Sequence, residues 1–200
     1  NLPFAGAKVF TGAVTVRIHE IEGDYDHVIE IQHENDYIEL PCRSKPRRRQ
    51  RKKVEDEGIV KDKEEIEAAR IEIPLKWIRI DPEQDWLKVM KFQQKSDLWM
   101  QQLEKDKDVI AQHEAISALY LDPQKSGDVL DRFDEILTDK DKHYFYQIRI
   151  QTAYTMSKFA DSSFKQAALD KLFTFFKSKY YDEKKEYPRP NDFTDIAEYY

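Results

Sequence analysis

The stretch Leu75-Lys76-Trp77-Ile78-Arg79-Ile80-Asp81-Pro82-Glu83-Gln84-Asp85-Trp86-Leu87 divides the chain into two kinds of sequence. Before it, apolar residues recur every second position, the period of a half-buried strand. After it, they recur every three or four, the period of a packed helix. A strand that stops at Asp81-Pro82 suits the junction, because proline cannot donate to a ladder and holds its predecessor extended. Trp77 and Trp86 flank the switch and are expected to join the two halves.

Working back towards the N-terminus, residues Thr11 to Leu40 read as a meander. Val14, Val16 and Ile18 alternate with Thr15, Arg17 and His19. Glu22-Gly23-Asp24 is a turn signal, Val28, Ile29 and Ile31 form a second strand, and Asn35-Asp36 marks another turn. Tyr37 to Leu40 reads as a third strand, and Ala69 to Ile73 and Lys76 to Ile80 as the returning ones. Short strands broken by Gly, Asn and Asp predict an immunoglobulin-like antiparallel β-sandwich.

Into this pattern is inserted Arg43-Ser44-Lys45-Pro46-Arg47-Arg48-Arg49-Gln50-Arg51-Lys52-Lys53, with eight basic residues in eleven, followed by Glu55-Asp56-Glu57 and Glu64-Glu65. No apolar periodicity supports structure there, so residues 43–68 are expected to form a mobile loop.

From Ser96 onward the pattern is helical: Asp97 to Glu104, Asp108 to Tyr120, Gly127 to Leu137, Tyr144 to Phe159, and Ser163 to about Tyr180. Ser162 and Ser163 are N-cap candidates for the last of these. Val109, Ile110, Ala115, Ile116 and Leu119 should share a helix face, and Val129, Leu130, Phe133, Ile136 and Leu137 should point inward. Phe173, Phe175 and Phe176 read as core. Asn191 or Asp192 is placed to cap a further helix after Pro188 and Pro190. At an offset of 38 residues (153 − 115), Ala115 matches Ala153, Ile110 matches Ile148 and Ile116 matches Tyr154. Helix pairs recurring every ~40 residues are the signature of HEAT- and armadillo-type solenoids. The reading is an α+β multidomain chain, with residues 1–82 a sandwich and 83–200 a helical-repeat domain.

Composition bounds the function classes. In 200 residues, 40% are apolar, 36% are charged, and the net charge is -6, neither a globally basic protein nor an acidic tail. The lone Cys42 allows no internal disulfide and leans towards a reducing compartment. No apolar run approaches the ~20 residues that span a bilayer. A first residue that is Asn rather than Met reads as a piece of a longer chain.

Trp77-Ile78-Arg79-Ile80-Asp81-Pro82, followed by Gln102-Leu103-Glu104-Lys105-Asp106-Lys107-Asp108-Val109-Ile110-Ala111-Gln112-His113-Glu114-Ala115-Ile116, resembles the family of TFIID subunit 2. These are large TATA-binding-protein-associated factors whose body is similar to the M1 zinc aminopeptidases. The resemblance covers roughly Arg70 to Phe159 well and the flanks only by type. It implies the third and fourth domains of that architecture, a small β-sandwich and the start of a HEAT/ARM-like solenoid. It further implies a nuclear, non-catalytic, architectural role in RNA polymerase II preinitiation complexes. The partners would be other TFIID subunits and promoter DNA, with no membrane and no small-molecule substrate.

Residues bearing chemistry are few. His113-Glu114-Ala115-Ile116-Ser117 lacks the second histidine of H-E-x-x-H, and Ser117 is a poor zinc ligand. His19, His27 and His33 fall on neighbouring strands, but their spacing matches no metal site and no cysteine accompanies them. There is no glycine-rich phosphate loop and no nucleophile elbow. The expectation is therefore no catalytic residue, no metal and no cofactor. The remaining candidates are Arg43, Lys45, Arg47, Arg48, Arg49, Arg51, Lys52 and Lys53. Such a run attracts phosphates by counterion release, serves as a nuclear import signal, or binds an acidic partner; a loop merely solvated beside its acids is the bland alternative. Two other function classes stay open here, a fragment of a working zinc aminopeptidase and an unrelated HEAT-repeat adaptor.

Overall fold

The chain organises around Gly12–Glu20, a strand (β1) whose alternation buries Val14, Val16 and Ile18 on one face. Each such side chain contributes roughly 1.5–3 kcal/mol when removed from water. The computed structural model describes residues 11–48, 71–72, 74–121, 127–138, 145–161, 163–182 and 187–188. Two compact units divide the chain, Asn1–Phe92 and Gln93–Tyr200.

In the first unit, β1 is central. β2 (Asp24–Ile31) pairs with it antiparallel, Gly12 opposite Ile31 through His19 opposite Asp24. A two-residue ladder pairs β3 (Arg47–Arg48) with β4 (Ile71–Glu72). β5 (Leu75–Ile80) pairs with the other edge of β1, Arg17 opposite Arg79 and His19 opposite Trp77, with a bulge between His19 and Glu20. The sheet order is β2-β1-β5. Gly23, at φ 151°, makes the β1–β2 turn, where Glu20 N–H donates to the Gly23 carbonyl at 2.9 Å; side chains rarely adopt that backbone.

Two expectations change here. Tyr37 to Leu40 is not a strand: Tyr37 is 87% exposed, and the edge of β1 belongs to β5 instead. Asp36 ties the preceding segment into a local turn, its Oδ2 accepting from the N–H groups of Gln32 and His33 at 3.0 Å each. Arg47 and Arg48 stand in a strand rather than in an unstructured loop, because Ile71 and Glu72 offer them a partner that short-range periodicity does not reveal. Arg49, Arg51, Lys52 and Lys53 lie outside the described residues. Among the contacts of the two tryptophans, Trp77 stacks on His19 (4.3 Å between centroids, 16° between planes), and Trp86 Nε1 donates to the Ala13 carbonyl at 3.1 Å. Both contacts are inside the first unit.

The second unit is built of α1 (Ser96–Lys105), α2 (Val109–Leu121), α3 (Gly127–Thr138), α4 (Tyr146–Ser157) with a 3-10 turn at Lys158–Asp161, and α5 (Lys165–Tyr180). α1 packs on α2, α2 on α4, α3 on α4, and α5 on both α3 and α4. Asp108 starts α2 by accepting from Ile110 N–H at 3.0 Å, the cap expected of an aspartate at that place. α5 differs: Ser163 lies in a turn, and the Phe164 carbonyl takes the first helical bond, from Ala168 N–H at 2.9 Å. Ser162 lies outside the described residues, as do Tyr144, Asn191 and Asp192.

The inward face of α3 is the expected one, Val129, Leu130, Phe133, Ile136 and Leu137. That of α2 is Ala111, Gln112, Ala115, Ile116 and Leu119, while Ile110 is 40% exposed. Both α1 and α4 pack on α2, so its buried surface is a wide band starting at Ala111. The 38-residue echo fails with it, since buried Ile148 is set against Ile110, and Tyr154, 57% exposed, against buried Ile116. The spacing that relates equivalent positions is 40 (152 − 112): Gln112, Ala115, Ile116 and Leu119 correspond to buried Thr152, Thr155, Met156 and Phe159.

A second departure is at the end of α5, where β6 (Tyr181–Asp182) pairs with β7 (Tyr187–Pro188), a two-residue ladder in a region expected to be wholly helical. Phe173 and Phe176 are exposed at 59% and 37%, so they are surface residues of α5 rather than core.

Candidate functional site

The basic segment is held to the sheet by one buried carboxylate. Glu20 continues the inward alternation of Val14, Val16 and Ile18 along β1 and is 6% exposed. Its two oxygens accept the backbone N–H groups of Arg43, at 2.9 Å, and Ser44. Ser44, itself buried, accepts from Glu22 N–H at 3.3 Å. Burial alone would push the Glu20 carboxyl up. The hydrogen bonds from Ser44 and Arg43 outweigh that and hold it below its ordinary value. The Arg43 guanidinium lies 5.0 Å over the Tyr25 ring, a contact worth about 0.5–1 kcal/mol at an exposed site. Lys45 is exposed. The structure therefore fixes where the basic run leaves the sheet, at Arg43–Ser44, and pairs Arg47 and Arg48 with β4. Although Cys42 is exposed, partial desolvation and the nearby Glu20 charge raise its thiol pKa, the opposite of what a reactive cysteine needs.

Glu20→Gln is expected to destabilise the first unit by about 2 kcal/mol, because an amide NH2 then faces backbone donors and a charge-assisted pair is lost. Since the folded pKa is below the unfolded one, the Glu20 contribution is present above the ordinary value of 4.5 and is lost as pH falls through the folded value. Parent and variant should thus differ in urea midpoint at pH 7 and converge on acidification. Equal midpoints at pH 7 would refute the anchoring role.

The histidines do not converge. His19 shares a face with Asp24 and Trp77, and its Nδ1 lies 2.7 Å from Asp24 Oδ1. His27 is opposite Val16, on the other face of the sheet. His33 pairs locally with Asp36 at 2.9 Å. Among the described residues no group of three His, Cys, Asp or Glu is placed to hold a metal ion. On α2, His113 is exposed and Ala115 and Ile116 pack behind it. No described helix is long and apolar enough to cross a membrane.

Sequence reasoning missed the polar groups that organise both units. Gln102, fully buried, donates to the Ala111 carbonyl at 2.9 Å and accepts from Gln94 Nε2 at 3.0 Å, joining α1 to α2. Gln112 reaches the Asp106 carbonyl at 2.8 Å. A row of ion pairs runs along the odd-numbered helices. Glu104 of α1 meets Arg132 of α3 at 3.3 Å; Asp134 and Asp131 of α3 meet Lys171 of α5 at 2.9 and 3.0 Å. The hydrogen bond that Lys171 donates to Asp134 leads in raising the Lys171 pKa. Helix-periodic acids and bases look alike wherever they fall, and only the stacking order makes these pairs identifiable.

The described residues thus form a β-sheet unit followed by packed helices, tied by the buried Gln102 and by ion pairs between α1, α3 and α5. Residues 4–95 match the model of the TAF2 Ig-like domain, and residues 97–200 match that of TAF2-like, TPR repeats. The chain belongs to the TAF2 family. Its first unit is an Ig-like domain and its second a helical-repeat domain, although the 40-residue spacing of buried positions exceeds the ~34 of a tetratricopeptide unit. Curated relatives, each called transcription initiation factor TFIID subunit 2, are 31% identical in Gallus gallus over 78% of this chain and 30% in Drosophila melanogaster over 78%. In Schizosaccharomyces pombe the figure is 27% over 98%. The chain spans only 13%, 12% and 19% of those proteins.

Proposed function

We propose that this chain is part of a non-catalytic, architectural subunit of TFIID, acting in the nucleus to support core-promoter engagement and preinitiation complex assembly. The observation that carries the reading is that both halves match TAF2 domain models in the order found here. The helical repeats serve other subunits as a binding surface, and the basic run meets duplex DNA through its phosphates. Supporting the second point, exposed Arg43 and Lys45 leave the sheet together and lead directly into Arg47, Arg48, Arg49, Arg51, Lys52 and Lys53. No aromatic residue is interleaved among them to stack on single strands.

The experiment changes Arg47, Arg48, Arg49, Arg51, Lys52 and Lys53 together to Gln in the full-length protein. Thermal stability should stay within about 0.5 kcal/mol of the parent, the outcome expected of solvated charges. DNA affinity should fall about equally for all sequences, and the slope of log affinity against log salt should flatten by up to about 5, near 0.9 for each phosphate released. Loss confined to one promoter sequence would refute backbone contact. Unchanged DNA affinity with reduced nuclear accumulation would instead assign the run to import.

A further inference from the structure

Between the last strand of the Ig-like domain and α1 runs a segment that solvates its apolar side chains. Leu87 is 108% exposed, Val89 98% and Met90 36%. The chain has no regular secondary structure there. Among the described residues, the backbones of Leu87, Val89, Met90 and Lys91 enter no hydrogen bond. Its start is nonetheless fixed. Trp86 N–H donates to Asp81 at 3.2 Å, the Trp86 indole donates to Ala13, and the Lys88 ammonium is paired with Asp81. A soluble surface accommodates single exposed apolar residues. Here two wholly exposed ones are two positions apart, the spacing that places them on one side of a strand, on a backbone with unpaired donors and acceptors.

We propose that Leu87–Lys91 is a docking strand, which takes up an extended, acidic and apolar segment of another protein chain by backbone pairing. The chemistry of that partner follows from three features. Unpaired N–H and C=O groups call for another strand, as in β-strand addition. Leu87 and Val89 require alternate apolar side chains. From Trp86 to Ser96 the chain holds no acidic residue, and beyond Lys88, whose charge Asp81 takes, it holds Lys91 and Lys95, within a protein of net charge -6. Lys91 and Lys95 are exposed. Such a run favours carboxylates on the incoming strand. Fixing one end through Trp86 and Lys88 reduces the entropy lost on pairing. The inference stands apart from the TFIID assignment, because it uses only this segment.

The test titrates the full chain into a fluorescein-labelled decapeptide, (Glu-Val)5, and reads polarisation at physiological salt. Saturable binding is expected, weakened at least tenfold by Leu87→Ser with Val89→Ser and at least threefold by Lys91→Glu. The peptide (Lys-Val)5 should not bind. Val28→Ser, at a residue 69% exposed on β2, should leave the affinity unchanged. At saturation, hydrogen exchange of the Val89, Met90 and Lys91 amides should slow at least tenfold, which side-chain contact alone would not produce. Equal binding by the double variant, equal binding of the basic peptide, loss of binding in Val28→Ser, or unprotected amides would each overturn the proposal.

Discussion

Phe133→Ala should lower the stability of the helical unit by about 4 kcal/mol, the largest single effect this structure predicts. Phe133 is fully buried on α3 and meets Phe159 edge to face, 6.2 Å between centroids and 80° between planes. α3 packs against both α4 and α5, and removing the ring leaves a cavity beside Phe159. Neither neighbour can fill it by a side-chain rotation alone, since Leu130, Ile136, Ile148 and Met156 are themselves almost wholly buried. The matched control is Phe173→Ala, the same chemistry on the exposed face of α5, expected within about 0.5 kcal/mol of the parent. Urea unfolding followed by helical circular dichroism compares the two. Equal losses in the two variants would show that Phe133 is not a core residue.

The second large effect lies at the junction. Asp81→Ala is expected to cost about 3 kcal/mol in the Ig-like domain, through lost charge-assisted hydrogen bonds and a backbone that alanine resists. Asp81 is 3% exposed and sits at φ 52°, a left-handed conformation that aspartate tolerates better than alanine. Its carboxylate accepts from Asp85 N–H at 2.9 Å and Trp86 N–H at 3.2 Å and is paired with Lys88. Burial pushes this carboxyl up, but Lys88 and the two amides hold it below its ordinary value of 3.8. A depressed folded pKa stabilises the native state above that value and loses the contribution as pH falls further. The defect should therefore be full at neutral pH and shrink in acid. Asp81→Asn, which keeps one acceptor oxygen and the left-handed preference, should lose about half as much. If alanine and asparagine behave alike at pH 7, the carboxylate is not what holds the turn.

The switch of periodicity around Trp77–Trp86 placed the strands and helices correctly because a buried face leaves its period in the sequence whatever lies opposite. The inward side of α3 and the positions of β1, β2 and β5 were legible for that reason. Tyr37–Leu40 was not: it has strand-like residues, yet β5, forty residues further on, takes the edge of β1, and no local pattern records that competition. The short pairing of Arg47–Arg48 was hidden likewise, since basic residues carry no apolar alternation. On α2, apolar character groups Ile110 with Ala115, Ile116 and Leu119, whereas packing against two helices buries Gln112 and leaves Ile110 40% exposed. The Phe173–Phe176 cluster errs in the same direction. As for the candidate site, the density of charge in Arg43–Lys53 was obvious, while its anchor was invisible. Glu20 falls on the inward parity of Val14, Val16 and Ile18, but nothing local shows that Arg43 and Ser44, 23 and 24 residues further on, supply its donors.

That clasp has a consequence for how the domain tolerates change in length. Glu20 grips Arg43 and Ser44 on one side, and Arg47–Arg48 close against Ile71–Glu72 on the other. These pairings, not the number of residues between positions 48 and 71, set the strand register on both sides. A change in that number is expected to leave the pairing of the sheet beneath as it is.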